Sequence, residues 1–144
     1  MREAVIVAAA RTAIGRAKKG SLKDTRPEAF ASQMLQGLVD RVDGLDKAEV
    51  DDIVLGCAMP EGEQGMNVAR LISFAAGFPV EVPAITVNRF CCSGSQTIAM
   101  ASDSIRAGNG DIVIAGGVES MSMVAMGGNK PIAYPGLMEM MPNA

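Results

Sequence analysis

Apolar runs and amphipathic stretches alternate along this chain in a regular order. Val5-Ile6-Val7 lies in an alanine-rich run without a polar position, the pattern of a strand buried on both faces. After a polar, basic stretch, Pro27 suits the first turn of a helix, and Phe30, Met34, Leu35, Leu38, Val39 and Val42 follow at helical spacing. Ile53-Val54-Leu55 repeats the buried-strand pattern. The polar turn Pro60 to Gly65 leads into Ala69, Leu71, Ile72, Ala75 and Ala76, a second helix that Gly77 and Pro79 stop. Ala84 to Val87 is a third strand and runs directly into Asn88-Arg89-Phe90-Cys91-Cys92-Ser93-Gly94. A helix is expected to open there with Ser93 as its N-cap. Ile98, Ala101, Ser102 and Ile105 give it a small, mostly apolar face, and Arg106 with Gly108 marks its end. Ile112 to Ala115 is the fourth strand. Strand and helix thus alternate three times and close on a strand, which predicts an α/β fold with a mostly parallel sheet flanked by helices.

Past Gly117 the periodicity is lost. Residues 118–144 hold six of the 11 methionines, three prolines and the Gly127-Gly128 pair. Methionine is an adaptable apolar side chain, so this segment either lines a path for an apolar chain or packs against further protein. A domain boundary is therefore expected near residue 118, with 1–118 as the α/β unit and 119–144 as the start of a second substructure.

Composition narrows the function classes. With 49% apolar and 20% charged residues in 144 positions, the chain has material for one compact core. Its apolar runs fall well short of the roughly 20 positions a bilayer-spanning helix needs, so no membrane span is expected. Three cysteines, two of them adjacent, without a cleavage-site pattern behind Met1 to Ala10, point to a reducing, cytoplasmic setting. A net charge of −3 argues against nucleic acid as a partner. Seven of the 13 basic residues fall in the first 26 positions, either as a solvated face or as a landing site for a phosphorylated ligand. There is no histidine, so no Ser-His-Asp triad, Cys-His pair or imidazole zinc site can form within this sequence. Three cysteines with two consecutive give poor tetrahedral geometry, and no metal site is expected.

The candidate chemistry centres on Cys91, placed between a strand and a helix start. Unpaired N–H groups and the helix dipole favour negative charge there, so thiolate is the form that gains. The same N–H groups suit an oxyanion that develops when sulfur attacks a carbonyl. Gly94, with no Cβ, leaves the backbone open to a bulky thioester. Cys57 ends a strand with no helix start behind it and reads as a packing residue. Cys92 reads as packing, as a regulatory thiol or as half of a strained vicinal disulfide.

The segment from Val87 to Gly94 resembles the thiolase active-site motif, in a register that selects Cys91 over Cys92. Arg11-Thr12-Ala13-Ile14-Gly15-Arg16, Gly65-Met66-Asn67-Val68-Ala69-Arg70 and Gly116-Gly117-Val118-Glu119-Ser120-Met121-Ser122 resemble the same family in the same order, and Lys130 to Ala144 resembles the start of its loop domain. The resemblance implies a thiolase-like N-terminal half and acyl transfer between a 3-oxoacyl-CoA and coenzyme A. Cys91 would be the acyl-thioester nucleophile, its N–H lining an oxyanion hole, with Asn88, Arg89, Ser93 and Gly94 in support. It further implies coenzyme A as co-substrate with no covalently bound cofactor, acyl-CoA substrates, and a homodimer or homotetramer.

Cys92 and Ser95 depart from the Ser and Leu common in degradative members, while Arg89-Phe90 and Met59-Pro60-Glu61-Gly62 look more like that branch. The near alternative is the biosynthetic, acetoacetyl-CoA-forming acetyltransferase. A further alternative is a non-catalytic α/β association or redox module, which the absence of histidine supports. The family motifs that carry the histidine base, the second acid/base cysteine and most coenzyme A contacts are not found in this sequence, so the chain alone is expected to be inactive.

Overall fold

The computed structural model describes residues 2–130 together with 132, 134 and 136. Its order is helix α1 (Pro27–Val39), strand β1 (Asp52–Gly56), helix α2 (Val68–Ala75), strand β2 (Ala84–Val87), helix α3 (Ser93–Ala107) and strand β3 (Val113–Gly117). Short 3-10 turns at Lys47–Glu49 and Gly62–Gln64 lie before and after β1.

The strands form one parallel sheet in the order β2-β1-β3. Register brings their carboxyl ends level, with Gly56 opposite Val87 on one side and Gly117 on the other. Ile53 and Leu55 join Leu35, Val68 and Ile72 in the main core, which identifies the face covered by α2 with α1 behind it. A Cβ on Gly56 would run into Ser93, so Gly56 and Val54, two residues earlier, point to the face covered by α3. Helices therefore cover both faces, which explains the continuous apolar runs of β1.

Local chemistry accounts for the element ends. Pro27 opens α1 behind an extended Arg26, and Pro27, Ala31, Leu35 and Val39 form its buried stripe. That helix stops at Val39, so Val42, expected on the same face, lies in the turn beyond it. Gly77 at φ +74° and Gly108 at φ +80° end α2 and α3 in the left-handed region. The Asp51 carboxylate accepts N–H groups of Asp111 at 2.6 Å and Ile112 at 3.0 Å, pinning the entry of β3 beside that of β1. The Arg70 guanidinium lies 4.1 Å from the Phe74 ring and donates to the carbonyls of Val80, at 2.7 Å, and Val82. It thereby fixes the approach to β2.

One expected strand does not form. Val5, Ile6 and Val7 are 73, 81 and 75% exposed and belong to no ladder. Arg2 pairs with Asp111 at 2.5 Å and Arg41 donates to the Ala9 carbonyl at 2.7 Å, so the segment is held against the domain from its two ends. An apolar run has burial to gain, but the described sheet is only three strands wide, with β2 and β3 at its edges, and the run pairs with neither edge. The segment 119–130 is turn and irregular chain, and most of the expected loop-domain start from Lys130 onward lies outside the described residues.

Candidate active site

Because the carboxyl ends of the three strands are level, the loops leaving them converge. They enclose a cavity of about 370 Å³ lined by Gly56, Cys57, Ala58, Phe90, Cys91, Ser93, Gly94, Gly117, Val118 and Glu119. This is the edge of an open parallel sheet at which ligands are commonly bound. Cys91 lines the cavity and is exposed; Cys92, although exposed, is not among the lining residues.

Five residues of tight chain, Asn88 to Cys92, link the end of β2 to α3 and include Cys91. Phe90 adopts φ +44°, a left-handed conformation that costs a non-glycine residue roughly 1–2 kcal/mol and needs support from its surroundings. Asn88 supplies that support: its Oδ1 accepts the Phe90 N–H at 2.8 Å and its Nδ2 donates to the Ala58 carbonyl at 3.0 Å. The turn is thus tied to the loop that follows β1.

Ser93 was expected as the N-cap of α3, but Cys92 occupies that position and makes no side-chain cap bond. The buried Ser93 hydroxyl reaches backwards instead, accepting the Arg89 N–H at 2.9 Å and donating to the Phe90 carbonyl at 2.6 Å. The hydroxyl is taken up by groups before the helix and is not available to the N–H groups of its first turn. Arg89 contributes through its backbone, its carbonyl accepting the Cys92 N–H at 3.0 Å. Among the described residues, the N–H groups of Cys91, Gly94 and Ser95 have no backbone acceptor. A Cβ built on Gly94 meets nothing within 4 Å, so the space above the first turn of α3 is open.

The arrangement can therefore present a thiol to a ligand at the sheet edge, close to a helix start whose N–H groups can receive developing negative charge. Two glycines make the approach possible. At Gly56 a Cβ would lie 2.7 Å from the Ser93 Cβ, and at Gly117 it would lie 3.3 Å from the Gly56 carbonyl oxygen.

Cys57 is packed into the core, as expected, while Glu119 and Gln64 carried no expected role. Cys57, 1% exposed, lies with its Sγ 3.8 Å from Glu119 Oε1. Burial, reinforced by the Glu119 charge, pushes its thiol up from the ordinary value to about 12. The Glu119 carboxylate accepts the Ala58 N–H at 2.6 Å and the Gln64 amide at 2.8 Å. Gln64 is fully buried, donates to the Met59 carbonyl at 2.8 Å and accepts the Ser120 N–H. Glu119 follows β3 almost directly, a position from which a polar side chain meets the sheet edge; Gln64 gave no such signal, sitting in a segment that reads as a solvated turn. Among the described residues no group of three or more His, Cys, Asp or Glu side chains is placed to hold a metal ion. No helix among them is long and apolar enough to cross a membrane.

A parallel α/β unit with a cysteine on a tight strand-to-helix turn, above the carboxyl ends of its strands, defines the class. The model of the thiolase N-terminal domain matches residues 4–138, and the chain belongs to the thiolase family. It is 51% identical over 129 residues to the 3-ketoacyl-CoA thiolase of Bacillus subtilis, an alignment spanning 90% of this chain and 33% of that protein. To the β-ketoadipyl-CoA thiolase of Acinetobacter baylyi it is 46% identical over 122 residues, 85% of this chain and 30% of that protein. The crystal structure of the Bacillus anthracis acetyl-CoA acetyltransferase superposes with a TM-score of 0.69 at 40% identity, covering 75% of this chain and 27% of that one. The chain thus spans about a third of the length of the relatives it matches.

Proposed function

We propose that the protein carrying this sequence is a 3-ketoacyl-CoA thiolase, and that Cys91 is its acyl-carrying nucleophile. The observation that carries the reading is the exposure of Cys91 on the strained turn before α3, inside the cavity at the sheet's carboxyl edge. The Cys91 thiolate attacks the 3-oxo carbon of a 3-oxoacyl-CoA, and negative charge moves onto the carbonyl oxygen. Collapse of that adduct breaks the bond between the 2- and 3-carbons. The electron pair leaves on acetyl-CoA as its enolate, which takes up a proton, and the shortened acyl group stays on sulfur as a thioester. Coenzyme A then attacks the thioester as its thiolate, releasing shortened acyl-CoA and restoring the Cys91 thiolate. The N–H of Cys91 and those opening α3 stabilise the oxyanions. Asn88, Ser93 and Gly94 shape the turn.

The base and proton donor of this scheme are not assigned within these 144 residues, which contain no histidine. The chain by itself is expected to give no thiolysis. Residues 1–118 are assigned to the N-terminal α/β domain and 119–144 to the opening of the loop domain. A cytoplasmic homodimer or homotetramer acting on acyl-CoA, with coenzyme A as co-substrate and no bound cofactor, completes the reading. The alternative, a biosynthetic enzyme forming acetoacetyl-CoA, draws on the 40% identity to a protein named acetyl-CoA acetyltransferase, against 51% to one named 3-ketoacyl-CoA thiolase.

The test uses the full-length gene product. Brief incubation with a 3-oxoacyl-CoA, acid quench and peptide mass spectrometry should find the shortened acyl group on Cys91. Replacement Cys91→Ser should abolish both the adduct and turnover. Normal turnover by that variant, or acylation at Cys92 or Cys57, would remove Cys91 from its role. Comparing acetoacetyl-CoA with longer 3-oxoacyl-CoA substrates separates the two thiolase readings.

A further inference from the structure

We propose that Glu119 is a positioning residue for the Cys91 turn, acting through Ala58 and Asn88. The inference rests on the reading of Cys91 as nucleophile.

The turn carrying Cys91 is not self-supporting. Its strained residue, Phe90 at φ +44°, has its N–H held by Asn88 Oδ1 at 2.8 Å. Asn88 is oriented by the bond from its Nδ2 to the Ala58 carbonyl at 3.0 Å. Ala58 therefore decides where Asn88 sits, and Glu119 decides where Ala58 sits, because Glu119 Oε2 accepts the Ala58 N–H at 2.6 Å. A charged acceptor on a backbone N–H is among the stronger hydrogen bonds a loop can make.

Glu119 is itself held from the other side. Gln64, fully buried, donates 2.8 Å bonds both to Glu119 Oε1 and to the Met59 carbonyl, and accepts the Ser120 N–H. One carboxylate thus joins the loops leaving β1 and β3, and Asn88 carries the same frame to the loop leaving β2. Glu119 also lines the cavity that contains Cys91. All three strand-end loops are cross-braced, and the nucleophile turn is the last member of the chain of bonds. Displacing a reacting atom by about 1 Å can cost on the order of a hundredfold in rate, so a brace of this kind acts on chemistry more than on binding.

The experiment uses the full-length gene product and the variants Glu119→Ala, Glu119→Asp, Asn88→Ala and the double Glu119→Ala/Asn88→Ala, with thermal unfolding measured for each. For Glu119→Ala we expect kcat to fall about tenfold to a hundredfold with KM within about twofold, as for a displaced reacting group. Iodoacetamide labelling of Cys91, followed by peptide mass spectrometry, should slow in parallel. Glu119→Asp should recover part of both. The double variant should be no worse than the more damaging single, because the two residues act in series.

Independent effects that multiply in the double variant would overturn the proposal, as would Glu119→Ala with unchanged kcat and unchanged Cys91 labelling. If Glu119→Ala fails to fold, the Glu119→Asp and Asn88→Ala pair supports the same comparison. Turnover retained by Cys91→Ser would instead sink the underlying reading, whatever Glu119 does.

Discussion

Gly56 and Ser93 are in contact because one of them has no side chain: a Cβ on Gly56 would lie 2.7 Å from both the Cβ and the carbonyl carbon of Ser93, and 3.0 Å from the Gly94 nitrogen. The end of the central strand and the first turn of α3 share a space that even a methyl group cannot enter. The height of the Cys91 turn above the sheet is thereby set by backbone-to-backbone contact, with Ser93 hydrogen-bonded beneath Phe90.

Gly56→Ala should accordingly push α3 away from β1. Overpacking of this kind costs about 1–3 kcal/mol, so with an m-value of about 1–3 kcal/mol/M the urea midpoint should fall by about 1 M. The labelling rate of Cys91 should change with it, since the turn moves with the helix. A variant with unaltered stability and labelling would mean that the helix start and strand end are not in this contact.

Cys57 and Cys91 share a cavity but should differ sharply in reactivity. With its thiol pushed to about 12 by burial and by Glu119, Cys57 stays protonated and shielded at pH 8. Peptide mapping after mild iodoacetamide treatment should find Cys91 and Cys92 modified and Cys57 intact until denaturant is added. The raised value also links to stability. The folded state holds the Cys57 proton more tightly than the unfolded chain does, so the contribution is complete below the ordinary thiol range near 9. It declines as pH rises from there toward 12. Cys57→Ala should flatten that part of the pH dependence; an unchanged alkaline slope would contradict the assignment.

Met66 and Asn67 both adopt left-handed backbone, at φ +52° and φ +54°. Asn67 is compensated by its side chain, which donates to the Ala84 carbonyl at 2.9 Å and accepts the Thr86 hydroxyl at 2.7 Å. Met66 is 87% exposed, so packing among the described residues offsets little of its strain. Met66→Gly should therefore stabilise the domain by up to about 1 kcal/mol, the relief of left-handed strain exceeding the added chain entropy. Asn67→Gly should destabilise it, because two hydrogen bonds go with the side chain. Urea unfolding of both variants decides the point, and equal responses would show that the side-chain bonds of Asn67 do not matter.

Much of the architecture was legible as pattern. Ile53-Val54-Leu55, Ala84 to Val87 and Ile112 to Ala115 announce strands by their own apolar and β-branched side chains, although only β1 is buried throughout its apolar run and β3 runs Val113–Gly117, and Pro27, Gly77 and Gly108 mark helix ends by backbone constraints that travel with the residue. The placement of Cys91 between a strand and a helix follows from the same local signals. Pairing was not legible: Val5-Ile6-Val7 has the composition of a buried strand yet is excluded from the ladder, since ladder partners are chosen by the whole sheet. Hydroxyl allegiance was not legible either, because the choice of Ser93 between capping forward and bonding backward depends on the sharp turn at Phe90. Nor was the brace of Gln64, Glu119, Ala58 and Asn88, whose members lie up to 61 positions apart along the chain, between Ala58 and Glu119, and meet only where three strands end level. What the residues settle alone is which segments gain by burial and where the backbone must turn; which polar groups then find one another is decided by the folded sheet, because a hydrogen bond reports a distance in space and not a separation in sequence.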